Sequence, residues 1–260
     1  MLDFSFSMQD LEYFLLILVR TTCFIFAAPF YNMTNAPRRV KISVGFFTSV
    51  LLYYVLTPAP ALEYDSVLGY SMIIMKEAVT GILIGYAANI CSSIIHLAGS
   101  IIDMEVGFSM VTLFDPATRE STSVSGNFYQ YMIMLFLIVS GMYQYILKAF
   151  AEAYTLIPVN GAVVRSETLV ASMIRFMGDS IIIGFRICLP VFAVMLLLNA
   201  VLGILAKVSP QLNMFAVGMQ LKVLVGLSVM FFTVAMMPKA SDFIFREMKQ
   251  MIVTIVEGMM

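Results

Sequence analysis

The stretch SIIIGFRICLPVFAVMLLLNAVLGILA, residues 180–206, decides the fold class. Arg186 is its only charge. A hydrocarbon core about 30 Å thick is crossed by roughly 20 apolar residues in a helix, so this run is long enough to span one. Five other stretches qualify or come close: Leu11–Phe30, Val40–Leu56, Val67–Ile102, Phe128–Leu147 and Leu212–Met237. The second is short. The third would extend about 54 Å as one helix, so it is expected to tilt strongly, break or fold back, with Gly81 and Gly85 as its weak points. The sequence therefore predicts an all-α polytopic membrane protein of about six long, partly broken hydrophobic helices arranged as hairpins.

Composition agrees. Of 260 residues 61% are hydrophobic and 12% charged, and the mean hydropathy is +0.94. A soluble domain carries about twice that share of charge, and charge is what keeps a soluble surface wet. Lipid or protein must cover the remainder. The net charge of -1 favours no class of partner, and no basic run offers a nucleic-acid footprint. The start of the chain carries Asp3, Asp10 and Glu12 ahead of the first apolar run, unlike the basic start of a cleavable signal; that run is expected to be a membrane helix.

The connections are polar. Residues 35–41 (NAPRRVK), residues 57–65 with two prolines and two acids, and 103–127 with Asp103, Glu105, Asp115, Pro116, Arg119 and Glu120 separate the apolar runs. Residues 148–175 read as mixed and part helical, and residues 207–211 (KVSPQ) as a tight turn. Beyond Pro238, the spacing of Phe243, Ile244, Met248, Met251, Ile252 and Ile255 predicts an amphipathic helix. Without a low-complexity linker, residues 1–260 read as a single integral-membrane domain. Arg38, Arg39 and Lys41 favour a cytoplasmic first connection.

Charges inside apolar spans are costly and mark function or a partner. Arg20, Lys76, Glu77, Arg186 and Lys222 are such charges. A transport relay and packing against protein both remain open for them. Lys76 and Glu77, adjacent in sequence, point about 100° apart on a helix and do not simply neutralise each other. His96 is the only histidine, which excludes motifs that need two and reads as a helix–helix contact. Cys23, Cys91 and Cys188 read as small buried hydrophobes. Gly81 and Gly85 form a GxxxG, which favours close helix packing. No nucleophile–base pair, phosphate loop or metal cluster is evident, so no catalytic, cofactor-binding or metal residue is expected. The 22 methionines suit core filling or a compliant seal.

At residues 207–218, KVSPQLNMFAVG, followed by Lys222 and Gly226, the chain resembles the FliR family of flagellar type III export-gate proteins. Relatives in virulence secretion systems are similar but more distant. Further agreement comes from Ala28-Pro29 with Pro37-Arg38, from Glu77, Gly81 and Gly85, and from Gly99, Asp103, Gly107, Phe108 and Asp115-Pro116. Arg186 and Pro190 stand before the last hairpin as that pattern has them. The likeness spans nearly the whole chain in order, with the PQxNxFxxG run its most specific part. It departs at Gln220, where many members carry Pro.

The resemblance implies a FliP-like N-terminal part joined to a FliQ-like hairpin near residues 180–240. It implies a non-enzymatic, channel-forming subunit of the bacterial inner membrane and flagellar basal body. Such a subunit has FliP-like, FliQ-like and FlhB-like partners, contacts membrane lipid and passes unfolded protein substrates; no cofactor or nucleic acid is implied. It makes residues 107–121 a channel plug, with Gly107, Phe108, Met110, Leu113, Phe114, Asp115 and Pro116 as its candidates. It makes Arg38, Lys76, Glu77, Gly81, Gly85, Asp103, Arg186, Pro190, Pro210, Gln211, Asn213, Phe215, Gly218 and Lys222 subunit-packing or structural positions. The competing readings are the equivalent component of a virulence system and a stand-alone secondary transporter; no inverted repeat supports the latter.

Overall fold

In the computed structural model, residues 8–29, 37–56, 64, 66–109, 123–163, 166–209, 211 and 213–259 are described. Eight α-helices occur among them: α1 (Met8–Ala27), α2 (Arg38–Leu56), α3 (Val67–Val106), α4 (Val124–Val139), α5 (Met142–Leu156), α6 (Ser166–Val208), α7 (Met214–Thr233) and α8 (Met237–Glu257), with a 3-10 turn at Val234–Met236. No strand occurs among the described residues. The chain is an all-α polytopic membrane protein. Four helical segments are long and apolar enough to cross a bilayer: α2, α3, most of α6, and α7 running on into α8. The number rises to five if α4 and α5 count as one broken span. Helix α1 falls outside that group; its 20 residues carry Asp10, Glu12 and Arg20.

Two of the expected helices differ in form. The third stretch neither breaks nor folds back: α3 runs unbroken for 40 residues. Phe128–Leu147, expected as one run, is broken at Ser140-Gly141. Ser140 caps α4, and Gly141 opens α5 at a φ of 71°. Only glycine takes that conformation without steric penalty. The break lies within a run that carries no charge, so hydropathy alone hides it. Helix α6 extends the decisive stretch to 43 residues and passes through Pro190 without a break. Likewise α7 is continuous through Gln220. The amphipathic tail helix forms as expected, with Ile244, Met248, Met251, Ile252 and Ile255 buried and charges on the other face.

By internal contacts the chain divides into two compact units. The first holds α1, α2, α3 up to Ile90, Gly141–Ile174 and the chain from Glu247; the second holds Cys91–Ser140 and Arg175–Arg246.

In the first unit α1 buries one stripe, Tyr13, Leu16, Ile17, Arg20, Thr21, Phe24 and Ile25, the i, i+3, i+4, i+7 pattern of a one-sided helix. Phe24 stacks on Phe150 of α5 with centroids 4.0 Å apart. Gly81 and Gly85 let the backbone of α3 meet that of α1. A methyl group at Gly81 would sit 2.2 Å from the Arg20 carbonyl oxygen; one at Gly85 would sit 2.7 Å from both the Phe24 carbonyl oxygen and the Ala27 Cβ. The close-packing reading of the GxxxG holds, and the weak-point reading does not: both glycines sit inside unbroken helix at a contact.

In the second unit the same device recurs. A methyl group at Gly99 of α3 would lie 2.1 Å from the Gly126 Cα of α4, and one at Gly226 of α7 would lie 2.6 Å from Val106. Cys91 and Cys188 are fully buried and Cys23 half-buried, all as free thiols.

A Gly81→Ala substitution therefore forces backbone apart, and its cost is expected at about 1–3 kcal/mol or more. Gly178→Ala has open space around it and is expected to stabilise by up to ~1 kcal/mol through helix propensity. Thermal midpoints of the detergent-solubilised chain, followed by circular dichroism at one scan rate, should fall for the first and rise for the second. Midpoints moving the same way would refute the contact.

Candidate functional site

The most heavily buried polar cluster sits in the first unit. Arg20 and Glu77 are both fully buried and form a two-pronged ion pair: Arg20 Nε donates to Glu77 Oε2, and Arg20 Nη2 to Oε1 at 3.0 Å. Both groups are bonded further to the connection between α5 and α6. Arg20 Nη1 donates to the Ile157 carbonyl at 2.8 Å and Nη2 to the Pro158 carbonyl at 3.3 Å. The Asn160 backbone N–H donates to Glu77 Oε1 at 2.8 Å. The guanidinium lies 4.5 Å from the centroid of the Tyr154 ring. The Tyr154 hydroxyl lies 3.3 Å from both the Thr21 hydroxyl and the Ile17 carbonyl.

The connection is shaped for this. Gly161 N–H donates to the Pro158 carbonyl at 2.9 Å, closing a turn with Asn160 at a φ of 67°. A positive φ at the third turn position is the type II geometry, and Asn tolerates it. The turn aims two carbonyls at the guanidinium and one N–H at the carboxylate. A lone buried charge would cost several kcal/mol; a pair is tolerable once its remaining donors and acceptors are filled. Here four of the five guanidinium N–H donors and both carboxylate oxygens are engaged within the protein, which makes the arrangement structural.

Lys76, one residue away, is exposed. Glu77 finds its partner 57 residues upstream in Arg20, a pairing that sequence reasoning missed although it singled out both charges. No sequence signal links two single charges in separate apolar runs.

The second unit holds the base of the segment between α3 and α4. Asp103, 5% exposed, accepts from the Ser125 backbone N–H at 3.0 Å, while the Ser123 hydroxyl accepts from Gly126 N–H at 2.9 Å. Both N–H groups belong to the first turn of α4, which has no helical acceptors of its own. A carboxylate there is further favoured by the helix dipole. One cap thus comes from α4's own start and the other from α3, so Asp103 fixes the point where the chain returns. Gly107 ends α3 at a φ of 97° with its N–H bonded to the Asp103 carbonyl, the left-handed helix ending that glycine favours. Phe108 follows, half-buried. Met110, Leu113, Phe114, Asp115 and Pro116 lie outside the described residues.

Beside Gly107 is a groove of about 520 Å³ lined by Met104, Asn199, Phe215, Gly218 and half-buried Lys222. The residues named for the last hairpin therefore meet the start of the central segment. Asn213 caps α7, accepting from Ala216 N–H at 3.4 Å. Gln211 is exposed, and Pro210 lies outside the described residues. Arg38 and Arg186 are exposed, Pro190 half-buried. His96 points out, with its Cα 3.5 Å from where a Cβ on Gly126 would lie. Among the described residues no group of three or more His, Cys, Asp or Glu side chains is placed to hold a metal.

Residues 11–248 match the family model described as Bacterial export proteins, family 1. The chain belongs to this family. It is similar to the flagellar biosynthetic protein FliR of Bacillus subtilis, 30% identical over 214 residues that cover 82% of each chain. It is also 25% identical to the protein of that name from Escherichia coli, covering 87% of this chain and 84% of the relative. With that from Buchnera aphidicola subsp. Baizongia pistaciae it shares 25% identity over 97% and 98%. The resemblance drawn from the last hairpin is thereby borne out, and it extends over almost all of this export protein.

Removing one member of the buried pair leaves the other uncompensated. Glu77→Leu and Arg20→Met are each expected to cost about 3–5 kcal/mol, and the double variant less than the sum of the two. A double-mutant cycle on unfolding in detergent measures this; strictly additive losses would show that the two side chains do not pair.

Proposed function

We propose that this chain is a non-enzymatic subunit of the flagellar protein export apparatus in the bacterial inner membrane. There it assembles with FliP-like, FliQ-like and FlhB-like membrane proteins into a channel for unfolded flagellar subunits. The observation that carries this reading is the family match over residues 11–248, with relatives bearing the name flagellar biosynthetic protein FliR.

Physical features support it. Only 17% of the apolar core of α2 is buried within the chain, and 28% of that of α6. Phe46, Phe47, Leu51 and Val55 on α2, and Leu224, Phe231 and Phe232 on α7, are exposed. Lipid covers such faces, and so do other subunits. Arg20 and Glu77, two of the charges open to a relay reading, are locked together and bonded further to the turn at Ile157–Asn160, which counts against a stand-alone proton-coupled transporter.

Within this reading the segment from Gly107 to Ser121 closes the channel at rest. The left-handed end of α3 at Gly107 and the caps from Asp103 and Ser123 on α4 hold its ends, so the segment between can yield without unravelling the helices. The groove at Lys222 and Phe215 is where the last hairpin supports it.

Two measurements test the proposal. Expressed with its cognate FliP and FliQ, the tagged chain should purify from detergent as a complex with both; recovery of the chain alone overturns the assembly. Deletion of 107–121 should make cells expressing that complex leak small ions; unchanged permeability removes the plug.

A further inference from the structure

We propose that the cleft between α6 and the junction of α7 with α8 is a binding site for one anionic phospholipid, its phosphate held by Arg186 and Lys239. The cavity measures about 270 Å³ and lies wholly within the second unit. Ile183, Ile187, Pro190, Met236 and Phe243 form its walls, and Arg186 and Lys239 are the only charged residues in its lining. No carboxylate lines it, and neither cation has a salt-bridge partner among the described residues. An apolar cleft with two uncompensated cations fits a ligand that joins a hydrocarbon chain to a negative head.

Depth argues for a lipid in particular. Between Arg186 and the next cation on α6, Lys207, lie 20 residues without charge. At 1.5 Å per residue that separation is about 30 Å, the thickness of a hydrocarbon core. Arg186 therefore stands at one boundary of the core when Lys207 stands at the other. Helix α7 returns from the Lys207 end, since Gly218 packs against Leu202, and Lys239 follows the last apolar residues of its run. Both cations thus stand at headgroup level on the same side, with Ile187, Pro190 and Met236 leading away from them toward the hairpin turn.

Pro190 adds a polar feature. It has no N–H, so the Arg186 carbonyl receives no helical hydrogen bond from position 190. A headgroup hydroxyl is a donor of the kind that oxygen lacks. Phosphatidylglycerol, with one phosphate charge and two hydroxyls, matches all three groups and serves as the probe.

The proposal is independent of the export reading, because it concerns the isolated chain and uses neither motility nor secretion. Native mass spectrometry of the full chain, released from a zwitterionic detergent, reads lipid retention. One phosphatidylglycerol should remain bound about tenfold more than phosphatidylcholine of the same acyl chains. Arg186→Gln with Lys239→Gln should abolish that preference, Arg186→Lys with Lys239→Arg should keep it, and Lys207→Gln should leave it unchanged. Millimolar inorganic phosphate should not displace the lipid; displacement would make the site one for free phosphate. Equal retention of the two lipids by the unaltered chain overturns the proposal, as does a preference that survives double neutralisation. Should the doubly neutralised chain aggregate, hydrogen exchange on the unaltered chain decides. Peptides over 183–190 and 233–243 must be better protected in phosphatidylglycerol nanodiscs than in phosphatidylcholine ones, and equal protection refutes the site. In the complex with FliP and FliQ, loss of the bound lipid would show that a subunit occupies the cleft, and that result also overturns the proposal.

Discussion

A charge buried in an apolar helix bundle is tolerable only if every donor and acceptor around it is satisfied. In this protein that constraint falls on Arg20 and Glu77. The pair joins α1 to α3, and its leftover capacity reaches the turn between α5 and α6 through Ile157, Pro158 and Asn160. Three elements far apart in sequence are thereby held by one set of hydrogen bonds with definite directions. Apolar packing has no such directionality, and a helix of leucines and isoleucines slides or rotates at little cost. The ion pair sets the register in which the surrounding side chains then pack.

The glycines make that register reachable. Gly81 and Gly85 bring α3 against the carbonyls of Arg20 and Phe24, close enough for Glu77, one turn before Gly81, to meet Arg20. A pair of bulky residues in their place would separate the helices and leave both charges stranded. The second unit solves the same problem with a cap: Gly99 against Gly126 brings α3 beside the start of α4, and Asp103, one turn on, meets the Ser125 N–H. In both places a small residue allows backbone contact, and a carboxylate one turn away uses it.

Helix content, the tail helix and the family were legible because they rest on patterns: long apolar runs, spacing along 238–256, and the PQxNxFxxG run. The break at Gly141 was hidden by apolar residues on both sides, although glycine after serine is the local mark of it. The length of α3 predicts a strong tilt, a break or a fold-back, because about 54 Å exceeds a bilayer. The helix stays whole because contacts along its length hold it, and contacts between distant segments are what hydropathy does not record. The same applies to Arg20 with Glu77: each charge was conspicuous, and nothing local to either named the other. Asp103 was picked out by resemblance, but its task, capping a helix 22 residues away, became visible only in three dimensions.

The first unit is assembled from pieces that leave the ribosome at very different times. Helix α1 comes first, the turn at Ile157–Asn160 much later, and the C-terminal end last, where the Met259 carbonyl accepts from Val163 N–H and Ile255, Val256 and Met259 are buried. Synthesis proceeds at about 5–20 residues per second, so about 7–28 s separate Arg20 from Ile157 and Pro158, which supply its carbonyl acceptors. Glu77 follows early in that interval, but until its end the pair lacks the turn that surrounds it. Biogenesis of this protein must therefore keep α1 and α3 in reach of each other until the turn at Ile157–Asn160 arrives to close the cluster.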